Sequence, residues 1–270
     1  MASFSVVSNV AASNAQANLL QTNLGLRSAL NRLSSGYRIN NSGDDAAGLA
    51  VANTYRNTVT TLNQGIRNAN DALSTLQVKD GALNNISNLL DRLSTLATQA
   101  ASHSSSVDRT KLNDEFSSVL SEIDREATVA GLDATTNFSV FVSNEASVSN
   151  GTIGGSVAQV DTGASGLNIG SLTIDSDISA QAAVASIADA VAALGTAQGN
   201  VGALENRLQY AITLAQSQQV NTQAAESRIR DANIAEESAN MTRYNILTQS
   251  GVAALSQANQ SSQAVLSLLR

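Results

Sequence analysis

The chain has 270 residues, is 43% hydrophobic but only 3% aromatic, contains no tryptophan, cysteine or proline, and carries a net charge of −7. Without cysteine there are no disulfides, thiolate nucleophiles or cysteine metal sites, and with His103 as the single histidine the usual zinc site is excluded. The acidic balance argues against a general nucleic-acid binder, and the scarcity of aromatics leaves no bulky anchors for a globular enzyme core.

No apolar run approaches the ~20 residues needed to span a bilayer. The N-terminus "MASFSVVSNVAASNAQANLL" lacks the basic and then apolar pattern of a secretory signal. The expectation is a cytoplasmic chain unless a different exporter handles it.

Residues 5–35 are predicted helical: Ala12, Ala15, Leu19, Thr22, Leu26, Ala29 and Leu33 step by three and four in a heptad-like seam. Leu20, Leu24 and Leu30 lie beside that seam, so the apolar face is wider than one partner helix needs. "LSSGYRINNSGDDAAGLAVA" (33–52) follows. Gly36 suits the left-handed cap of the first helix, "INNSGDD" is turn chemistry, and Asp44 and Asp45 stand where carboxylates meet the free N–H groups of a new helix.

From about residue 45 to 100 the spacing returns through Val59, Leu62, Ile66, Ala69, Leu73, Leu76 and Leu83, with Asp80 in a seam position. Ile86, Leu90, Leu93, Ala97 and Ala100 continue it after a phase shift. Such a helix is roughly 80 Å long at ~1.5 Å per residue and needs a long partner. "SHSSSVD" (102–108) reads as a loop with Asp108 a cap. Leu112, Phe116, Val119, Ile123 and Ala127 define a shorter helix folding back on the long one.

Residues 131–177 turn rich in glycine, serine and threonine. "FSVFV" and "SLTID" alternate like strands, with "SNGTIGG" and "DTGASG" as turns, giving two or three short strands. Helix returns over 178–222, with Val184, Ile187, Val191, Leu194, Val201, Leu204, Leu208 and Ile212 on one face. A last helix covers 228–269, with Tyr244, Gly251, Leu255, Ala258, Val265 and Leu269 at seam positions and Thr248 and Ser262 as polar interruptions. The fold class is therefore mainly α: long helices in a coiled-coil or helical-bundle rod, one small β-hairpin region, and terminal helices paired as a coiled coil.

The search for chemistry is nearly empty. His103 sits in a serine-rich loop and reads as solvated. Adjacent Asp44 and Asp45 point different ways, which suits capping rather than paired acid–base work. "GTIGG" and "GASGLNIG" neither open a helix after a strand nor offer a P-loop lysine. The terminal helices have Asn/Gln/Ser polar faces rather than the basic faces of membrane-surface helices. No catalytic residue, cofactor or metal site is assigned.

"SNVAASNAQANL", "LSSGYRINNSGDDAAGLAVA" and "SRIRDANIAEESANMTRYNILTQSGVAALSQANQSSQAVLSLL" resemble bacterial flagellin over roughly the first half and the last third of the chain. The resemblance implies a structural subunit that polymerises into the helical flagellar filament used for swimming. It implies an inner coiled coil of residues 1–43 with 224–270, whose self-assembly helices carry Leu19, Leu26, Leu33, Leu255, Val265 and Leu269. It implies an outer rod over 44–223 containing the β-rich segment 131–177, and no variable outer domains. Gly36, Gly43, Asp44 and Asp45 become the joint between the two domains.

The resemblance further implies type III export to an extracellular flagellum, with an export chaperone, the export apparatus, and cap and hook-junction proteins as partners; nucleic acid and membrane insertion are not expected. Contact with Toll-like receptor 5 falls on Arg92, Leu96, Gln99 and Glu122, although Ser94 and Thr95 depart from a charged pair common there. Ser262 stands where family members often have proline, and "LDATTNFSV" replaces their frequent "FNG". The alternatives are a hook–filament junction or related flagellar axial protein, an enzyme on a helical scaffold, and a peripheral membrane binder. Termini disordered in the monomer and ordered in the polymer are expected.

Overall fold

The computed structural model describes residues 8–102, 108–143 and 151–268. They form α1 (Val10–Ser35), α2 (Ala46–Ala100), α3 (Arg109–Val129), β1 (Thr136–Phe141), β2 (Thr152–Val157), α4 (Asp177–Arg230) and α5 (Ile234–Leu268). Most of the described residues are helical. Its helix ends follow local chemistry. Asn9 caps α1 by accepting from the Ala12 N–H, and α1 stops at Gly36, which is left-handed at φ 74° and donates to the Arg32 carbonyl. Asp108 caps α3, and Gly131, also left-handed, ends it with Leu132 donating back to the Ala127 carbonyl.

Contacts divide the chain into two compact units, Met1–Asn57 with Asn221–Arg270, and Thr58–Val220. The second, central unit holds one continuous apolar core running from Leu62 to Ala215. Within it α3 lies antiparallel to α2. Asn85 donates to Glu126 at 2.9 Å, and Arg92 pairs with Glu115 farther along α2 and earlier along α3. Phe116, Leu120, Ile123 and Ala127 are the buried face of α3. The two strands pair antiparallel, from Thr136↔Val157 to Phe141↔Thr152. Gly65 is buried against this sheet's exit, where a β-carbon would run into the Val142 carbonyl. Lys79, 8% exposed, donates to the Gly131 carbonyl at 2.7 Å and so ties α2 to the end of α3. Burial pushes its pKa down, partly offset by the charge of Asp133.

Several sequence expectations need correction. "SLTID" is not a strand. Its Ile174 N–H goes to the Asn113 side chain and its Leu172 N–H to the Ile169 carbonyl, so no ladder is left to make. The end of "SNGTIGG" is not a turn but the start of β2. The helix predicted to stop at 222 runs unbroken to Arg230. "QAAES" holds neither glycine nor proline, and the break comes at Asp231–Asn233, where the Asn233 side chain accepts from Ala235 and its carbonyl from Glu237.

On α4, Val191 is 42% exposed while alanines at 180, 183, 190 and 197 take the buried line. The aliphatic face holds at Ile187, Leu194, Val201, Leu204 and Leu208, all buried; Val191 alone of the eight lies open, and small residues complete the face. At the predicted seam position of Asp80, the buried residue is its neighbour Lys79. By length and composition α4 is apolar enough to cross a membrane, contrary to the expectation from unbroken apolar runs. Its alanines and branched aliphatics instead line the central core.

Candidate functional site

In the terminal unit α1 and α5 pack along each other with antiparallel register. The Asn9 side chain donates to the Ala258 carbonyl at 3.0 Å, Leu19 faces Gly251, Gly25 faces Tyr244, and Arg32 meets Glu237 at 3.2 Å. Each partner moves up one helix as the other moves down. Gly25 forms a hole for the Tyr244 ring; a β-carbon there would lie 2.5 Å from it. The seam residues Ala12, Ala15, Leu19, Thr22, Leu26 and Leu33 on α1 are half-buried, as are Tyr244, Thr248, Gly251, Leu255 and Ala258 on α5. Val265 belongs to α5, but its side chain lies outside the described residues, as does all of Leu269.

Pairing does not exhaust the apolar surface. Leu20 is 61% exposed and Leu24 66%, and Leu30, Ile246, Leu247 and Val252 are also open. Seen from one chain, the site is an amphipathic helix pair with apolar flanks facing water.

The turn between α1 and α2 is pinned rather than loose. Arg38 donates its N–H to the Arg230 carbonyl at 2.7 Å, and Ala232 donates to the Gly36 carbonyl at 2.9 Å, around an antiparallel bridge between Tyr37 and Asp231. The Arg230 guanidinium lies 4.3 Å over the Tyr37 ring, and Ile39 is fully buried. The two acids divide their labour. Asp45 caps α2 by accepting from the Gly48 N–H, whereas Asp44 closes the preceding turn by accepting from the Asn40 and Asn41 N–H groups. Those two bonds hold the Asp44 carboxyl below its ordinary pKa. Gly36 needs its left-handed conformation, while Gly43 has open space where a side chain would go. Sequence reasoning missed the Tyr37–Arg230 stack, although "GYRIN" and "RIRDAN" both end helices with an arginine nearby.

In the central unit Arg92 and Gln99 are exposed and Glu122 is half-buried; Arg92 is paired with Glu115 and Glu122 with Arg125. Leu96 is buried at 1% and presents no surface. His103 lies outside the described residues. Among the described residues no three His, Asp or Glu side chains gather as a metal site.

A family model described as the bacterial flagellin N-terminal helical region matches residues 6–137, and one for the bacterial flagellin C-terminal helical region matches residues 184–269. The chain belongs to the bacterial flagellin family. Flagellin of Halalkalibacterium halodurans is 36% identical, over 97% of this chain and 98% of that protein. Flagellin FlaB1 of Treponema pallidum is 34% identical, over 97% of this chain and 98% of its own. Among solved structures, Bacillus cereus flagellin is 27% identical, with a TM-score of 0.48, covering 59% of this chain and 94% of that one. Flagellins are structural proteins, and this chain is a structural subunit of the flagellar filament that self-polymerises.

Proposed function

We propose that this flagellin polymerises by covering the leftover apolar flanks of α1 and α5 with the same helices of neighbouring copies. Residues 1–43 and 224–270 then act as the inner assembly domain and 44–223 as the outer one. Carrying the proposal is the exposure of Leu20, Leu24, Leu30, Ile246, Leu247 and Val252 after α1 and α5 have already paired. Each such side chain contributes about 1.5–3 kcal/mol when fully covered. A contact between unlike surfaces that does not close propagates an open helical polymer. Leu19, Leu26, Leu33 and Leu255 set the pair, and Gly36, Asp44 and Asp45 fix the turn that delivers it. Removing residues 1–43 and 224–270 is expected to stop seeded elongation, followed by light scattering and electron microscopy, while the central unit still unfolds cooperatively. A trimmed chain that elongates at the full rate overturns the reading.

Family membership supports an extracellular filament reached through the flagellar export apparatus. A chaperone covering α5 before release fits its exposed apolar flank, and the cap and hook-junction proteins are the partners at the filament ends. The role needs no catalytic centre, cofactor or metal, and none is assigned. Arg92, Gln99 and Glu122 support a strip facing Toll-like receptor 5, with Leu96 acting only from beneath as packing.

A further inference from the structure

We propose that Glu236 of one copy docks its carboxylate into a polar pocket beside Arg27 of a second copy. The proposal rests on polymerisation through α1 and α5. The pocket, of about 240 Å³, forms in the terminal unit where the 40–44 turn folds back along α1. Leu24, itself 66% exposed, forms its rim, which makes the pocket continuous with the apolar flank that neighbouring copies cover. Arg27, Ser28 and Asn31 line one wall, and among the described residues none of these three side chains has an ion pair or hydrogen bond. Arg32 is engaged with Glu237, and the Asp44 carboxylate on the far wall is occupied by two backbone N–H groups. What remains is an exposed guanidinium with neutral donors beside it. Such a fork binds carboxylates through two parallel, charge-assisted bonds.

The acids of the same unit identify the occupant. Asp44 and Asp45 are taken by backbone amides, Glu226 by Arg230, Asp231 by Ser227 and Glu237 by Arg32. Only Glu236, exposed on the first turn of α5, has no such partner among the described residues. It is the one acid the terminal unit leaves for a neighbour.

A charge swap tests this in the full-length chain. R27E and E236R are each expected to raise the critical concentration for seeded polymerisation by about tenfold, and the double variant R27E/E236R to recover most of that loss. Wild-type assembly should lose its advantage over R27Q as salt rises, because the pair is screened. Circular dichroism and amide exchange at Arg38 and Ala232 report whether the monomer fold survives each change, and R27Q and E236Q repeat the test without a reversed charge. A critical concentration unchanged in the single variants overturns the pairing, as does a double variant no better than the worse single. Either result leaves polymerisation through the terminal helices standing, since that depends on the trimmed chain.

Discussion

The terminal and central units are written in the same vocabulary of small and aliphatic residues spaced by three and four, yet they bury it differently. In the central unit, Leu76, Leu83, Ile86, Leu90, Leu93 and Ile123 are all fully buried. In the terminal unit the only buried apolar side chains among the described residues are Ala29, Ile39 and Ala52, all near the pinned turn. The seam of α1 and α5 is half-covered along its length. A third helix and a sheet close the central core. Two helices alone cannot surround a seam, and on the assembly proposed above the neighbouring copies close the second. On that proposal, stability is stored within the monomer in one unit and deferred to the polymer in the other.

The largest expected effect pulls these apart. Phe116→Ala should cost the isolated chain about 3–5 kcal/mol, seen as a lowered denaturant midpoint. Leu20→Ala, on the exposed flank, should barely move the monomer's midpoint while raising the critical concentration for assembly. Equal losses of monomer stability in both variants would erase the distinction.

Glycines sharpen the contrast at smaller scale. Gly65→Ala places a methyl against the Val142 backbone and should destabilise the central unit by about 1–3 kcal/mol. Gly36→Ala strains a left-handed residue and should cost about 1–2 kcal/mol locally, whereas Gly43→Ala meets nothing. Gly43→Ala should be neutral or slightly stabilising by thermal melting.

The smallest effect is in acid, and its sign differs between the units. Asp44 has a depressed pKa, so its stabilisation is complete at neutral pH and is lost as pH falls through that depressed value. Glu205 in the central unit has a raised pKa, from burial first and from the neighbouring Asp80 charge second. The folded chain there takes up a proton before the unfolded chain does, so stability rises as pH falls through the raised value. Amide exchange between neutral and mildly acidic pH should show slower opening around Glu205, and faster opening at Asn40 and Asn41 only at still lower pH. Glu205→Gln should remove the first response and leave the second.

Much of this was legible in the residues. The α1 and α5 seams, the left-handed Gly36 and the Asp108 cap follow from spacing and from local donors and acceptors, which act within a few residues. Lys79 was not legible, because nothing in "VKDG" says that its amine will find the Gly131 carbonyl across the fold. The division between Asp44 and Asp45 was half legible: both were read at a helix start, but which amide each would reach depends on how the turn closes.

Sequence alone determined that this chain is mostly long amphipathic helix, with end helices carrying more apolar face than one partner can cover, because helical period and hydrophobicity are local properties. Only the tertiary structure decided where α4 breaks, that alanines rather than Val191 line its buried face, that "SLTID" forgoes a ladder, and that the turn is stapled by Tyr37, Arg38 and Arg230. Those outcomes depend on which backbone groups and side chains meet across long separations in the chain, and a single chain's pattern does not specify that geometry.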